Sequence, residues 1–237
     1  MNRIRLPRHH LLTLVALLVL GSFMFTAPPA RAASRVDRLE YIKSRANLEI
    51  DRRLERLRKL DSAISGATRL TETNKSTLTT EVNSEIAGLT RLQQQIDSDT
   101  DTDTARIDAQ AIFNDYRVYA LILPKVWLVR VADDQQVVES KSNILSGKLQ
   151  TRINQAQNKG RDVTAMQVSL NDMIAKTVAA QKLSSMVEEK VLPLQPTDYN
   201  NDHTILSGYR DQLKTAHANN KAAFADAKSI VQNLAGM

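Results

Sequence analysis

Apolar residues recur along this chain at alternating steps of three and four, the spacing that gathers them on one face of an α-helix. The first run is Val36, Leu39, Ala46, Ile50, Leu57, Leu60 and Ile64, interrupted at Lys43 and Arg53, where Ile42 and Leu54 carry the stripe sideways. It predicts a helix from Ser34 to about Gly66, a natural C-cap residue. A second run, Leu78, Val82, Ile86, Leu89, Leu92 and Ile96, begins around Thr73 to Ser76, with Thr and Asn available as caps. It contains Gly88, which weakens a helix by about 1 kcal/mol against Ala, so packing must hold this segment. The third helix carries Ile107, Ala111, Asn114 or Phe113, Val118 and Leu121 inward until Pro124, which removes a backbone donor and kinks or ends it. Beyond the proline the pattern resumes at Val126, Val129, Val137, Ile144 and Ile153 and closes near Gly160.

The last two stripes are the most regular. Val163, Met166, Leu170, Met173, Thr177, Ala180, Ser184, Val187 and Val191 define the fourth helix, with Asp162 or Thr164 as cap. Leu206, Tyr209, Leu213, Ala216, Asn220, Ala223, Ala227, Ile230 and Leu234 define the fifth. Its alanines admit close approach by a neighbour, and Asn220, polar in an apolar seam, is the type of residue that fixes register at some expense of stability.

Between these runs lie two predicted loops. In the acidic one, residues 97–104, acids alternate with hydroxyl residues whose side chains bond nearby backbone and disfavour a helix; Asp103 or Thr104 then caps the next helix. The other, residues 192–203, holds Pro193 and Pro196. No strand is predicted. Helices of about 28 residues would be about 42 Å long, against a globular mean of roughly 11 to 12 residues. The expected fold is all-α: an elongated antiparallel bundle of about five long helices with coiled-coil-like seams.

The densest apolar surface falls between Ala111 and Val131, which holds four of the ten aromatic residues, Phe113, Tyr116, Tyr119 and Trp127. These are the expected anchors on which the polar helices pack, or with which they meet a partner.

Composition changes this picture at the N-terminus. Arg3, Arg5 and Arg8 precede an apolar run from Leu11 to Phe25, and Ala30-Arg31-Ala32 has the small-x-small form of a signal-peptidase site. Residues 1–32 are therefore expected to be a signal peptide, and residues 33–237 a single exported helical domain. The rival is a retained anchor, because the 17 residues Leu11 to Ala27 are at the lower edge of a bilayer span. Removing the leader takes away four of the 32 basic residues and none of the 26 acidic ones, so a chain at +6 becomes one at 28 − 26 = +2. That near balance argues against a nucleic-acid partner. With no cysteine, neither a disulfide framework nor thiol chemistry is available.

Three segments together resemble a group of exported bacterial all-helical, coiled-coil-like proteins: the acidic loop, Tyr116-Arg117-Val118-Tyr119-Ala120-Leu121 leading into Leu123-Pro124, and Asp198-Tyr199-Asn200. The resemblance implies an exported helical protein and carries no activity.

Candidate chemistry is sparse. Asp97, Asp99, Asp101 and Asp103 alternate as hard oxygen ligands do in the first half of a Ca²⁺ loop, but Thr102 stands where the turn needs Gly, and Asp108 where a bidentate Glu is usual. The competing reading is a solvated linker with capping aspartates. Arg52, Arg53, Arg56, Arg58 and Lys59 form a basic stretch suited to an anionic envelope component. Asp51, Glu55 and Asp61 are interleaved with it, as on a salt-bridged solvent face. Arg117, between Tyr116 and Tyr119, is placed to stack on an aromatic ring. His203 and His217 have no metal-ligand spacing and no neighbouring nucleophile signature. The expectation is a non-enzymatic protein of the cell envelope or the exterior that works through contact surfaces, with itself or with an envelope partner. The alternatives are a holdase-like or ligand-binding cleft lined by Phe113, Tyr119 and Trp127, or a weak Ca²⁺-responsive module.

Overall fold

The computed structural model describes residues 35–236, so the expected signal peptide lies outside the described residues. The chain forms α1 (Arg35–Ser65), α2 (Glu72–Ser98), α3 (Thr102–Asn114), a π turn (Val118–Ile122), α4 (Leu123–Asn158), α5 (Thr164–Val191), α6 (Pro196–Asn201) and α7 (Tyr209–Ala235). There is no strand among the described residues.

Several boundaries depart from the apolar pattern, each for a local reason. The acidic stretch is mostly helical, because α2 continues to Ser98 and α3 starts at Thr102. The N-cap is Asp101, whose carboxylate accepts from the amides of Asp103 and Thr104, so the expected caps Asp103 and Thr104 lie inside the helix. Pro124 neither kinks nor ends the third helix. It is the second residue of α4, which continues directly from the π turn, so the helical stretch runs through it. The chain breaks earlier, at Arg117, whose φ of 43° is left-handed. Residues 196–201, expected as loop, form α6, started by Pro196 and a capping box between Gln195 and Asp198.

Two faces are also rotated. In α3, Ile107 and Phe113 are exposed, whereas Ala105, Asp108 and Ile112 are buried. In α4, Ile144 faces solvent, whereas Lys125, Asp133, Glu139 and Ser142 are buried. The stripes of α5 and α7 are buried almost as predicted, from Met166 to Val191 and from Leu213 to Ile230.

Helix α1 packs on α2 and α3, α3 touches α2 and α6, and α4, α5 and α7 pack on one another. Two apolar clusters result. The larger, the mixed core, unites α1, α2, α3, the π turn, the first part of α4, the end of α5 and the start of α7. The smaller, the three-helix core, joins Leu149 and Ile153 of α4, Met166, Leu170 and Met173 of α5, and Ala223, Ala227 and Ile230 of α7.

Polar keys fix the mixed core. Lys125 is fully buried, 2.5 Å from the Glu81 carboxylate, and also donates to the Leu194 carbonyl. Asp133 accepts from the Thr71 amide at 2.8 Å and from the Asn74 side chain at 3.0 Å, so a residue of α4 supports the N-terminus of α2. Asn74 also donates to Glu188 of α5 at 2.7 Å. Gly88 has a packing reason: a Cβ there would lie 2.5 Å from the Tyr116 ring.

Candidate interaction surface

The site is built along one stripe of α1. Ile42, Ala46, Glu49, Arg53, Leu60 and Ala63 follow one another at helical spacing, over roughly 30 Å at 1.5 Å per residue. Arg53, the break in the predicted apolar stripe, is only 5% exposed. Its guanidinium bonds the Glu49 carboxylate at 2.8 Å and the Glu49 carbonyl at 3.0 Å. It also sits 4.5 Å from the ring centroid of Phe113 and 5.2 Å from that of Tyr119. A cation held from below by a carboxylate and capped by two rings keeps both aromatics in place while leaving their outer faces free. The Arg53 hydrogen bond holds the Glu49 carboxyl below the usual carboxylate range.

On either side of this clamp the surface continues. Towards the start of α1, Tyr41, Ile42, Ala46, Ala109 and Phe113 line a concavity of about 420 Å³, with Arg45 and Arg106 among its walls. Towards the end of α1, Trp127 meets Leu60, Ala63 and Ile64 around a small cavity of about 110 Å³, and Arg210 of α7 lies 5.2 Å from its ring centroid. Phe113, Tyr119 and Trp127 are 47%, 45% and 43% exposed, so three of the four aromatics expected as packing anchors show about half their area to water. Phe113 and Trp127 line separate concavities rather than one cleft.

The other predicted residues divide. Arg52 is exposed and pairs with Glu49 at 3.0 Å, and Lys59 pairs with Glu55 at 2.5 Å. Arg56 and Arg58 are exposed on the same helix. Tyr116 turns inward against Gly88. Arg117 stacks not on its tyrosine neighbours but on Tyr199, at 5.5 Å, and bonds Asn200 at 2.5 Å. Two of the segments that carry the resemblance, 116–121 and 198–200, thereby touch. Sequence reasoning missed Tyr41, Arg45, Arg106 and Arg210. Only Tyr41 left a trace, as an aromatic beside Ile42 on a stripe of known register.

Three of the four aspartates considered as calcium ligands are engaged elsewhere, and the fourth, Asp99, keeps a buried Oδ2 without a hydrogen-bond partner among the described residues. Asp97 accepts from Asn47 at 2.7 Å, and its carbonyl from Lys43 at 2.9 Å. Asp101 caps α3, bonds that hold its carboxyl below the ordinary range. Asp103 pairs with Arg106 at 3.0 Å. Burial raises Asp99, with Asp108 adding to the effect. Among the described residues, no three acidic, His or Cys side chains are grouped to hold a metal ion. Asp202 is taken up by Thr204, and His203 lies 5.2 Å, ring to ring, from Tyr199.

A second groove, of about 880 Å³, lies between α2 and α5. Glu81, Glu85, Glu188 and Glu189 line it together with Thr77, Thr80 and Ser84. Burial and the neighbouring Glu81 raise the Glu85 carboxyl to about 7, against a smaller lowering by Lys125. No helix among the described residues is long and apolar enough to cross a membrane.

Comparison with protein-family models, with curated proteins and with solved structures returned no match to the chain.

Proposed function

We propose that this is an exported, non-enzymatic helical protein of the cell envelope, an elongated antiparallel bundle with coiled-coil-like seams, which binds a protein partner through the arginine–aromatic ribbon along α1. The observation that carries this reading is the Arg53 clamp. Half-exposed rings are ordinary one at a time, but here Phe113 and Tyr119 are fixed over a buried guanidinium, with Tyr41 and Trp127 along the same helix. Aromatic and arginine side chains are the residue types that dominate binding energy at protein interfaces. Arg45, Arg52, Arg56 and Arg106 around them select a partner whose contact face is apolar with an acidic rim.

The test is cross-linking of the protein in cell envelopes, with the same partner band sought in Phe113→Ala/Tyr119→Ala and in Arg45→Glu/Arg52→Glu. Loss of the band in both, with unchanged helicity, supports the reading. An undiminished band in both would place the contact elsewhere. A second reading, an apolar-ligand module, rests on the concavity of about 420 Å³ between α1 and α3. It requires an apolar probe to compete with the partner and to bind the Phe113→Ala/Tyr119→Ala protein more weakly.

A further inference from the structure

Between the two apolar clusters, α4, α5 and α7 meet in a layer of polar and small side chains: Glu139, Ser142, Thr177, Ser184, Ala216 and Asn220. Glu139 is 1% exposed and Asn220 is 4% exposed. The carboxyl oxygen Oε1 of Glu139 accepts from the Ser184 hydroxyl at 2.8 Å and faces the Asn220 side-chain nitrogen at 3.4 Å. That nitrogen also donates to Gln135 at 2.9 Å. The remaining oxygens, Oε2 of Glu139 and Oδ1 of Asn220, are both buried and have no hydrogen-bond partner.

Among the described residues, no cation answers the carboxyl group. Lys141 of α4, Lys182 of α5 and His217 of α7 are exposed. Glu188, one turn beyond Ser184 on α5, is held by Asn74 and Gln136. From α4 the group meets Gln135 through Asn220, from α5 Ser184, and from α7 Asn220. An unpaired charge in such a layer is expensive, and so are two buried acceptors facing no donor. A single proton removes both problems. A carboxylic acid and a primary amide form a two-point pair, in which the amide N–H donates to one carboxyl oxygen and the acid O–H donates to the amide oxygen. One half of that pair is in place, and the two orphaned oxygens are the atoms the other half would join.

We infer that Glu139 carries a proton in the folded protein and donates it to the Asn220 amide oxygen, making this layer a proton-dependent latch that holds α4 and α7 together beside α5. Burial raises the Glu139 carboxyl against the smaller opposing effects of Ser184 and Asn220, in keeping with the neutral form. The sign follows from linkage. The folded latch retains its proton at a pH where the unfolded carboxyl has lost it. Its contribution is therefore complete below the usual carboxylate value and is lost as pH climbs from there to the raised one. The three-helix core should loosen towards alkaline pH.

The experiment uses the full chain in two measurements. In the infrared difference spectrum near neutral pH, wild type minus Glu139→Gln, a protonated-carboxyl C=O band should remain after the Glu85 contribution common to both proteins has cancelled. In hydrogen exchange corrected for intrinsic rates, amides of the three-helix core in the wild type should open more often as pH rises from about 4.5, tenfold for each unit by which the pKa is displaced. In Glu139→Gln, which keeps the two-point pair without a titrating proton, this dependence should vanish. Should Glu139→Gln not fold, Asn220→Ala supplies the assignment, because losing the acceptor shifts the carboxyl band to higher frequency. Absence of the band from the difference spectrum, or the same pH dependence in Glu139→Gln, would overturn the latch.

Discussion

In the three-helix core, α4, α5 and α7 each present one face to the other two, and among the described residues no charged side chain is buried beside it, the Lys176–Asp226 pair at 2.7 Å lying at its partly exposed edge. In the mixed core, α4 meets the π turn, and helices of very different lengths converge. There Lys125, Arg53 and Asp133 lie inside, each with partners from elsewhere in the chain. The contrast teaches that a uniform seam needs only repetition, whereas a junction of unlike helices needs polar keys that say where each one lands. Such keys stabilise only when satisfied, since a buried ion with its partner removed is strongly destabilising.

The sharpest test of that contrast is Lys125→Met. It leaves Glu81, with Glu85 nearby, without its buried cation, and should cost about 4 kcal/mol in urea denaturation; a loss below about 1 kcal/mol would remove the key from the mixed core. Leu170→Ala, its counterpart in the three-helix core, should cost about 3 kcal/mol through the cavity it leaves. Hydrogen exchange should place that loss in α4, α5 and α7 and spare α1. Gly88→Ala improves helix propensity yet drives a methyl group into the Tyr116 ring. The net expectation is a loss of about 1 to 2 kcal/mol, with the melting temperature recovered in the Gly88→Ala/Tyr116→Ser double variant. Asp101→Ala removes the cap of α3, worth about 1 kcal/mol. A further effect is proton-linked. With Glu85 raised from 4.5 to about 7, its contribution is present below the lower value and is lost as pH rises towards the upper one. Glu85→Gln should lessen the fall in melting temperature across that window, leaving the part due to Glu139.

Legibility followed the same divide. The stripes of α5 and α7 could be read residue by residue, because an unbroken 3,4 register buried against one seam leaves the sequence no alternative. Asn220 was visible as the polar member of its stripe, although nothing in the sequence paired it with Glu139, 81 residues away. In α3 the hydrophobic rule chose Ile107, while the fold buried Asp108 and left Ile107 in water. A helix of 13 residues wedged between others is oriented by its neighbours as much as by its own pattern. At the candidate surface, the aromatic stretch and the arginines of α1 were each apparent, but their meeting was not. Arg53 looked like a flaw in an apolar stripe, and its role exists only once Phe113 and Tyr119 are folded over it.

The π turn at Val118–Ile122 closes with the Leu123 amide on the Val118 carbonyl, five residues back. Such a turn holds one residue more than an α-helical turn of the same rise, and all 36 residues of α4 follow it. Shortening this turn by one residue would restore ordinary helical bonding and leave the downstream helix close to its present phase, since the extra residue is taken up within the wide turn. Lys125, Asp133 and Glu139 would keep their places, whereas a residue lost further along α4 would turn those beyond it away from their partners by about 100°. For that reason a single-residue deletion here should be tolerated better than one between Val126 and Glu139, and a scan of one-residue deletions would mark the turn as the place where α4 absorbs a change of length.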